Sequence, residues 1–131
     1  AAAALEVNAA NTTLRVWNGG IPDVLLRRQR SGEVVHFGSL NLPIGVVRVE
    51  TAVVEDASVE AGDVVFAMSD GVTETSNAEG ELFGTERVAE VLARDVPLDT
   101  LYNLLCKTLF AFGRGQQQDD DITLLQHTVG L

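Results

Sequence analysis

Two acidic elements stand at the ends of apolar runs. Val64-Val65-Phe66-Ala67-Met68 leads directly into Ser69-Asp70-Gly71, and Asp119-Asp120-Asp121 leads directly into Ile122-Thr123-Leu124-Leu125. The first run, with β-branched and aromatic members, reads as a short strand covered on both faces. An Asp placed where such a strand runs out sits beside the core, half out of water. If the strand after the Asp triplet lies next to it and runs antiparallel, both acidic ends meet at one edge of the sheet. Neighbouring strands are about 4.8 Å apart, close enough for two carboxylates to share one ion. Without a cation such a pair repels, and one member is pushed toward its protonated form. A hard divalent ion with oxygen ligands, magnesium or manganese, relieves that repulsion. The same residues also fit plainer roles, since Asp-Gly is a common turn and an acidic triplet is often a solvated loop.

The other chemistry-bearing residues read as structural. His36 and His127 both sit in strand-like runs with no second ligand at suitable spacing, which favours scaffold roles over metal ligation. Cys106, the one cysteine, lies between Leu105 and Lys107 on a helix; a buried or half-buried packing role outweighs a nucleophilic one. Trp17 is expected in the core, and Asn18 before Gly19-Gly20 reads as a turn former. Arg27, Arg28 and Arg30 flank Ser31-Gly32. They read as a solvated hairpin tip, with steering of a phosphoprotein as the second reading.

Positioning these groups falls to a β half followed by an α half. Leu5–Val7 and Leu14–Trp17 are short β-like runs, separated by the turn-forming stretch 8–11. Residues 18–22, Asn-Gly-Gly-Ile-Pro, break the chain, because two glycines and a proline do not suit a central strand. Asp23–Arg28 and Glu33–Phe37 read as a hairpin around Ser31-Gly32. Val46–Glu55 alternates, with Val47, Val49, Thr51 and Val53 on one side, the pattern of a half-exposed antiparallel strand. Helical spacing over Thr85–Ala93 brings Val88, Val91 and Leu92 together. A second helix starts near Pro97, continues through Leu101, Leu105 and Leu109, and stops at Gly113. Residues 75–83 are rich in Glu, Asn and Gly and read as a mobile flap. Strands followed by helices predict an α+β protein with helices packed on an antiparallel sheet.

Composition bounds the rest. At 131 residues the chain is one domain, with 46% hydrophobic and 21% charged residues, an ordinary globular profile. A net charge of −10 argues against nucleic acid or an anionic membrane as partner. One cysteine excludes a disulfide framework. No apolar stretch approaches a membrane span, and AAAALEVN lacks the basic start of a signal peptide. A cytoplasmic fragment of a longer protein is the expectation.

The residues carry more than spacing. Residues 60–65, EAGDVV, followed by SDGVTETSNAEGELFG at 69–84, resemble the metal-dependent protein phosphatases, also called protein phosphatase 2C. The likeness is to the bacterial branch typified by stage II sporulation protein E and the stress-response phosphatases. VWNGGIPDVLLRR (16–28) is similar to that family's NAGHPP strand-turn-strand, GSLNLPIGV (38–46) to its Pro-Leu-Gly loop, and DDDITLL (119–125) to its terminal Asp-Asp-Ile-Thr motif.

The resemblance implies an antiparallel β-sandwich flanked by helices (α-β-β-α), with two manganese or magnesium ions in a cleft at one end. Asp70 matches the metal-binding Asp of the family's (S/T)DG motif, and Asp120, two before Ile122, matches its last metal ligand. Asp119 and Asp121 are the weaker matches. The resemblance thereby implies catalytic and metal-ligating roles for both Asp70 and Asp120. The implied activity is phosphomonoester hydrolysis on a serine/threonine phosphoprotein by a metal-activated water, with no covalent phosphoenzyme. Relatives in this branch act on phosphorylated anti-sigma-factor antagonists and carry an upstream sensory or receiver domain, as in two-component response regulators.

Two departures stand out. The family's earlier acidic motifs have no counterpart in 1–131 and are expected before Ala1, so the chain reads as the C-terminal portion of a phosphatase domain, inactive by itself. Ile21 stands where the family often has His. A non-catalytic module that keeps the fold and binds a signalling partner is the alternative.

Overall fold

The structure, a computed structural model, describes residues 1–10, 12–48 and 51–130. Seven strands form two antiparallel sheets. The three-stranded sheet has the order β1 (Ala2–Asn8), β2 (Thr13–Gly19), β5 (Glu55–Ser58). The four-stranded sheet has the order β4 (Val34–Phe37), β3 (Val24–Arg27), β6 (Val64–Met68), β7 (Leu124–Thr128). Among the described residues three helices lie between β6 and β7: the single turn α1 (Asp70–Thr73), α2 (Gly84–Leu92) and α3 (Leu101–Phe112), the last preceded by a 3₁₀ turn at Leu98–Thr100.

Period-two alternation in β3 and β6 sorts their side chains into two cores. Val24, Leu26 and Val65 join Leu14, Val16, Phe37 and Val129 between the sheets. Leu25, Val64, Phe66 and Met68 point the other way, against Val88, Val91 and Leu92 of α2 and Leu101, Leu105 and Leu109 of α3. This double covering is why residues 64–68 are apolar without a break. Burial of the leucine stripe lays α3 on the sheet, as its spacing predicts.

The cation at Arg27 is 5% exposed. Its Nε donates to the carbonyl of Leu92 at 2.6 Å, and Nη2 donates to that of Arg94 at 3.2 Å. The negative end of α2 therefore compensates a charge that burial would otherwise expel. Asp63, also buried, accepts from Arg28 Nη1 (3.1 Å), Gln29 N (2.9 Å) and Glu60 N (3.0 Å), which fixes the turn into β6. Arg30 stays outside, 3.1 Å from Glu60. Only Arg30 behaves as a solvated tip. The hairpin lies at the opposite end of β6 from Asp70, because Arg27 pairs with Val64 while Met68 pairs with Leu124. That placement sets the basic tip away from the acidic end of the sheet. Arg27→Met should cost about 2 kcal/mol, the worth of hydrogen bonds to a charged group, read as a lower urea midpoint with an unchanged slope.

Other expectations are corrected. The strand over 46–55 does not form among its described residues; β5 begins only at Glu55. Val49 and Glu50 lie outside the described residues. The backbone of Val53 is taken by a side chain instead of a neighbouring strand: Val53 N donates to Asn41 Oδ1, and Asn41 Nδ2 donates to Val53 O, both at 2.8 Å. Gly19 belongs to the central strand β2, opposite Ala2. The break starts two residues later, at Gly20, and a side chain at Gly19 would overlap the Trp17 ring. Trp17 itself is half-buried and in neither core cluster, because alternation with Leu14 and Val16 turns it outward. Asn18 is buried, donating to Pro22 O at 3.1 Å and accepting from Ile21 N at 3.2 Å, a turn former as expected.

Candidate metal centre

β6 and β7 are hydrogen-bonded neighbours running antiparallel, with Met68 opposite Leu124. The C-terminal end of one and the N-terminal approach to the other therefore coincide. Ser69 zips them together: its N donates to Thr123 O at 2.9 Å, its Oγ donates to Asp121 O at 3.0 Å, and Thr123 N donates back to that Oγ at 2.9 Å. Gly71 lets the two segments touch. A Cβ there would lie 2.9 Å from the Asp121 carbonyl carbon, nearer still to its oxygen, and 3.4 Å from Asp120 O. The need for glycine is thus the approach of a second backbone.

After Asp70 the chain makes one helical turn, closed by Glu74 N donating to Asp70 O at 2.8 Å. Residues four apart share a helix face, so Glu74 returns beside Asp70. Oxygens of Asp70, Glu74 and Asp120 all lie within 4.8 Å of one another, and all three residues are exposed. Within the triplet it is Asp120 whose carboxylate joins this group; Asp119 and Asp121 do not. Asp120 is oriented locally, accepting from Asp121 N at 2.8 Å through Oδ1 and from Gln118 Nε2 at 2.7 Å through its carbonyl. Sequence reading missed Glu74. Its spacing of four from Asp70 was a signal, hidden because Asp70-Gly71 reads as a simple turn at the strand end, not as the start of a helical turn.

The donor set fits a hard divalent cation. It is all carboxylate oxygen, converges from two segments, and is open to water, so an ion that keeps several waters can be held there. His36 lies elsewhere, on the edge strand β4, with Nδ1 3.0 Å from Asp23 Oδ2. His127 lies on β7 opposite Val65. Ile21 packs against the inter-sheet core.

A cleft of about 240 Å³ opens in front of the acids, walled by Glu74, Thr75, Leu82, Gly113 and Asp120 among others. The wall at 75–83 is a built loop. Asn77 Oδ1 accepts from Glu79 N and Glu81 N (3.1 and 2.9 Å), and Ser76 bridges to Leu82. Arg87 pins it from α2, donating to Leu82 O at 2.6 Å, pairing with Glu81 at 3.0 Å and lying 4.8 Å over the Phe112 ring. Gly113 ends α3 where a side chain would strike Thr75 Cγ2 at 2.7 Å. No helix among the described residues is long and apolar enough to cross a membrane.

Solved structures share this architecture. The SiaA-PP2C domain of Pseudomonas aeruginosa superposes with a TM-score of 0.79 at 20% identity, over 98% of this chain and 51% of that one. The PP2C phosphatase domain of SpoIIE from Bacillus subtilis, solved with a fragment of its regulatory domain, gives 0.75 at 21% identity, over 91% and 34%. The manganese-presoaked phosphatase domain of the same protein gives 0.71 at 19%, over 98% and 55%. The chain thus spans about half, or less, of the solved chains it matches. No curated protein is matched by its sequence. The family model described as Stage II sporulation protein E (SpoIIE) matches residues 1–129. With nearly every residue inside that match, and the sandwich of the PP2C domains in place, the chain belongs to the SpoIIE family of PP2C-type phosphatase domains.

Proposed function

We propose that this chain is the part of a phosphoprotein phosphatase domain that holds manganese or magnesium through Asp70, Asp120 and Glu74. The observation that carries the reading is the convergence of those three carboxylates where β6 ends and β7 begins. Bound cations would lower the pKa of a water that attacks phosphorus, and would offset charge on the phosphoryl oxygens. The chain's own residues hold and orient. Asp70 and Glu74 present their oxygens from one helical turn, Asp120 meets them from the facing segment, and Leu82 walls the cleft in front of them. Three carboxylates fall short of six ligands. The remaining ligands, and the second ion, are assigned to the rest of the domain, and the isolated chain should bind manganese weakly and release little phosphate.

By the same reading the substrate is a serine/threonine phosphoprotein, an anti-sigma-factor antagonist in a cytoplasmic bacterial pathway. A sensory or receiver domain upstream would control it; the regulatory domain named with the Bacillus subtilis relative supports that arrangement. The test is phosphate release from a phosphoserine peptide by the intact protein with manganese. Inertness toward every phosphoester tried would transfer the assignment to a partner-binding module. Glu74→Gln should weaken manganese binding about tenfold by removing one ligand charge, measured by isothermal titration.

A further inference from the structure

Thr75 follows Glu74 directly and is buried, while Glu74 beside it is exposed. Three elements meet on it. Its Oγ1 donates to the carbonyl of Gly71 at 2.8 Å, inside the protein. That carbonyl belongs to the short α1, and the last carbonyls of a helix have no backbone partner within it. The carbonyl of Thr75 accepts from Phe83 N at 2.8 Å, where α2 begins. Its methyl faces the end of α3: a Cβ at Gly113 would lie 2.7 Å from Thr75 Cγ2, and 3.7 Å from its other neighbours. Gly113 has φ −85°, a turn conformation compatible with most residues. The space that glycine leaves there is taken by Thr75.

We propose that Thr75 is a positioning residue, which sets the Glu74 carboxylate at the metal centre and ties it to the end of α3. The proposal rests on the metal-binding part of the proposed function. A single helical turn has too few bonds to hold its own shape, and α1 is four residues long. Glu74 stays beside Asp70 only while that turn stays closed. Both branches of the threonine side chain are engaged, the hydroxyl by α1 and the methyl by the α3 end, and a β-branched residue has few χ1 settings to choose from. Thr75 therefore cannot shift without breaking one contact or crowding the other, and the backbone of Glu74 shifts with it.

The test is manganese affinity of the intact protein by isothermal titration, with melting temperature as the check on folding. Thr75→Val keeps the shape and removes the donor, and should weaken manganese binding about tenfold, the low end for a group that orients a metal ligand. Thr75→Ser keeps the donor and should stay closer to wild type. Because Thr75 acts through Glu74, Thr75→Val should add nothing to the loss caused by Glu74→Gln, since changes to one shared interaction are not additive. Gly113→Ala should also weaken binding by pressing on Thr75 Cγ2, and Thr75→Ser in the same chain should repair it by removing the methyl that is struck. Wild-type affinity in folded Thr75→Val, or losses that add in the double variant with Glu74→Gln, overturns the proposal. If Thr75→Val does not fold, the Gly113 pair decides: a Gly113→Ala loss that Thr75→Ser leaves unrepaired, or no loss at all, overturns it. Phosphate release from a phosphoserine peptide is measured alongside on the wild type. An inert wild type that shows this pattern of manganese binding overturns the phosphatase reading and upholds the proposal. A wild type that binds no manganese overturns both.

Discussion

Asp70→Asn in the intact protein should lower phosphate release from a phosphoserine peptide by about 10³-fold or more while the fold survives. Asp70 is the hub of the carboxylate group: it closes β6, starts the turn that returns Glu74, and faces Asp120 across the strand ends. Asn keeps the size of the side chain and removes the charge. A cation held by three carboxylates would lose a third of the compensating charge supplied by this chain. Groups that stabilise charge only as the reaction proceeds are worth about 10²–10³ each, and loss of the cation itself adds to that. Asp70 also takes part in backbone bonds, its carbonyl accepting from Glu74 N at 2.8 Å and Thr73 Oγ1 at 3.1 Å. Neither uses the carboxylate, so circular dichroism and the melting temperature should stay close to wild type. Wild-type turnover by the folded variant would remove Asp70 from the catalytic set.

Gly71→Ala should be the most damaging conservative change at the site. The new methyl would meet the Asp121 carbonyl carbon at 2.9 Å and its oxygen closer still. Both are backbone, held in place by Ser69 Oγ at 3.0 Å, so no rotamer change relieves the contact. Overpacking of this kind costs about 3 kcal/mol, a drop of roughly 10 °C in melting temperature for a domain of this size. Relief requires the 119–121 segment to move off α1, carrying Asp120 with it. Displacement of a positioned group by about 1 Å costs on the order of 10²-fold in rate. Gly130→Ala is the matched control, since a Cβ there meets nothing within 4 Å and should change stability by less than about 0.5 kcal/mol. Equal melting temperatures for the two variants would show that the strand ends are not in the close contact described.

Much of the fold was legible because burial writes itself into residue order. The unbroken apolar run 64–68 gave a strand covered on both faces, and the leucines of 101–109 gave a helix seated on it. The 46–55 stretch misled because alternation records which side a residue faces, not whether a neighbouring strand is there to pair. Asn41 took the Val53 backbone instead. Arg27 misled in the opposite sense. Beside Arg28 and Arg30 it read as solvated, yet its charge is matched by carbonyls 65 and 67 residues further along the chain, a partner no local window contains. The flap at 75–83 read as mobile from its composition, while the Asn77 and Arg87 bonds hold it as a wall.

At the site, residue order by itself determined that acidic groups stand at the end of one strand and the start of another, because Asp70 and the 119–121 triplet abut the apolar runs directly. It could not say whether those strands were neighbours or that Glu74 joined them, and it singled out Asp120 among the three aspartates only through the family resemblance. Those depended on the β6–β7 register and on the helical turn after Asp70. They also depended on Gly71, whose missing side chain lets two backbones meet and leaves Asp120 facing the other two acids. Strand and helix tendencies are carried by short stretches of sequence, but distances between segments some fifty residues apart are set only when the whole sheet closes, and the acidic centre is made of such distances.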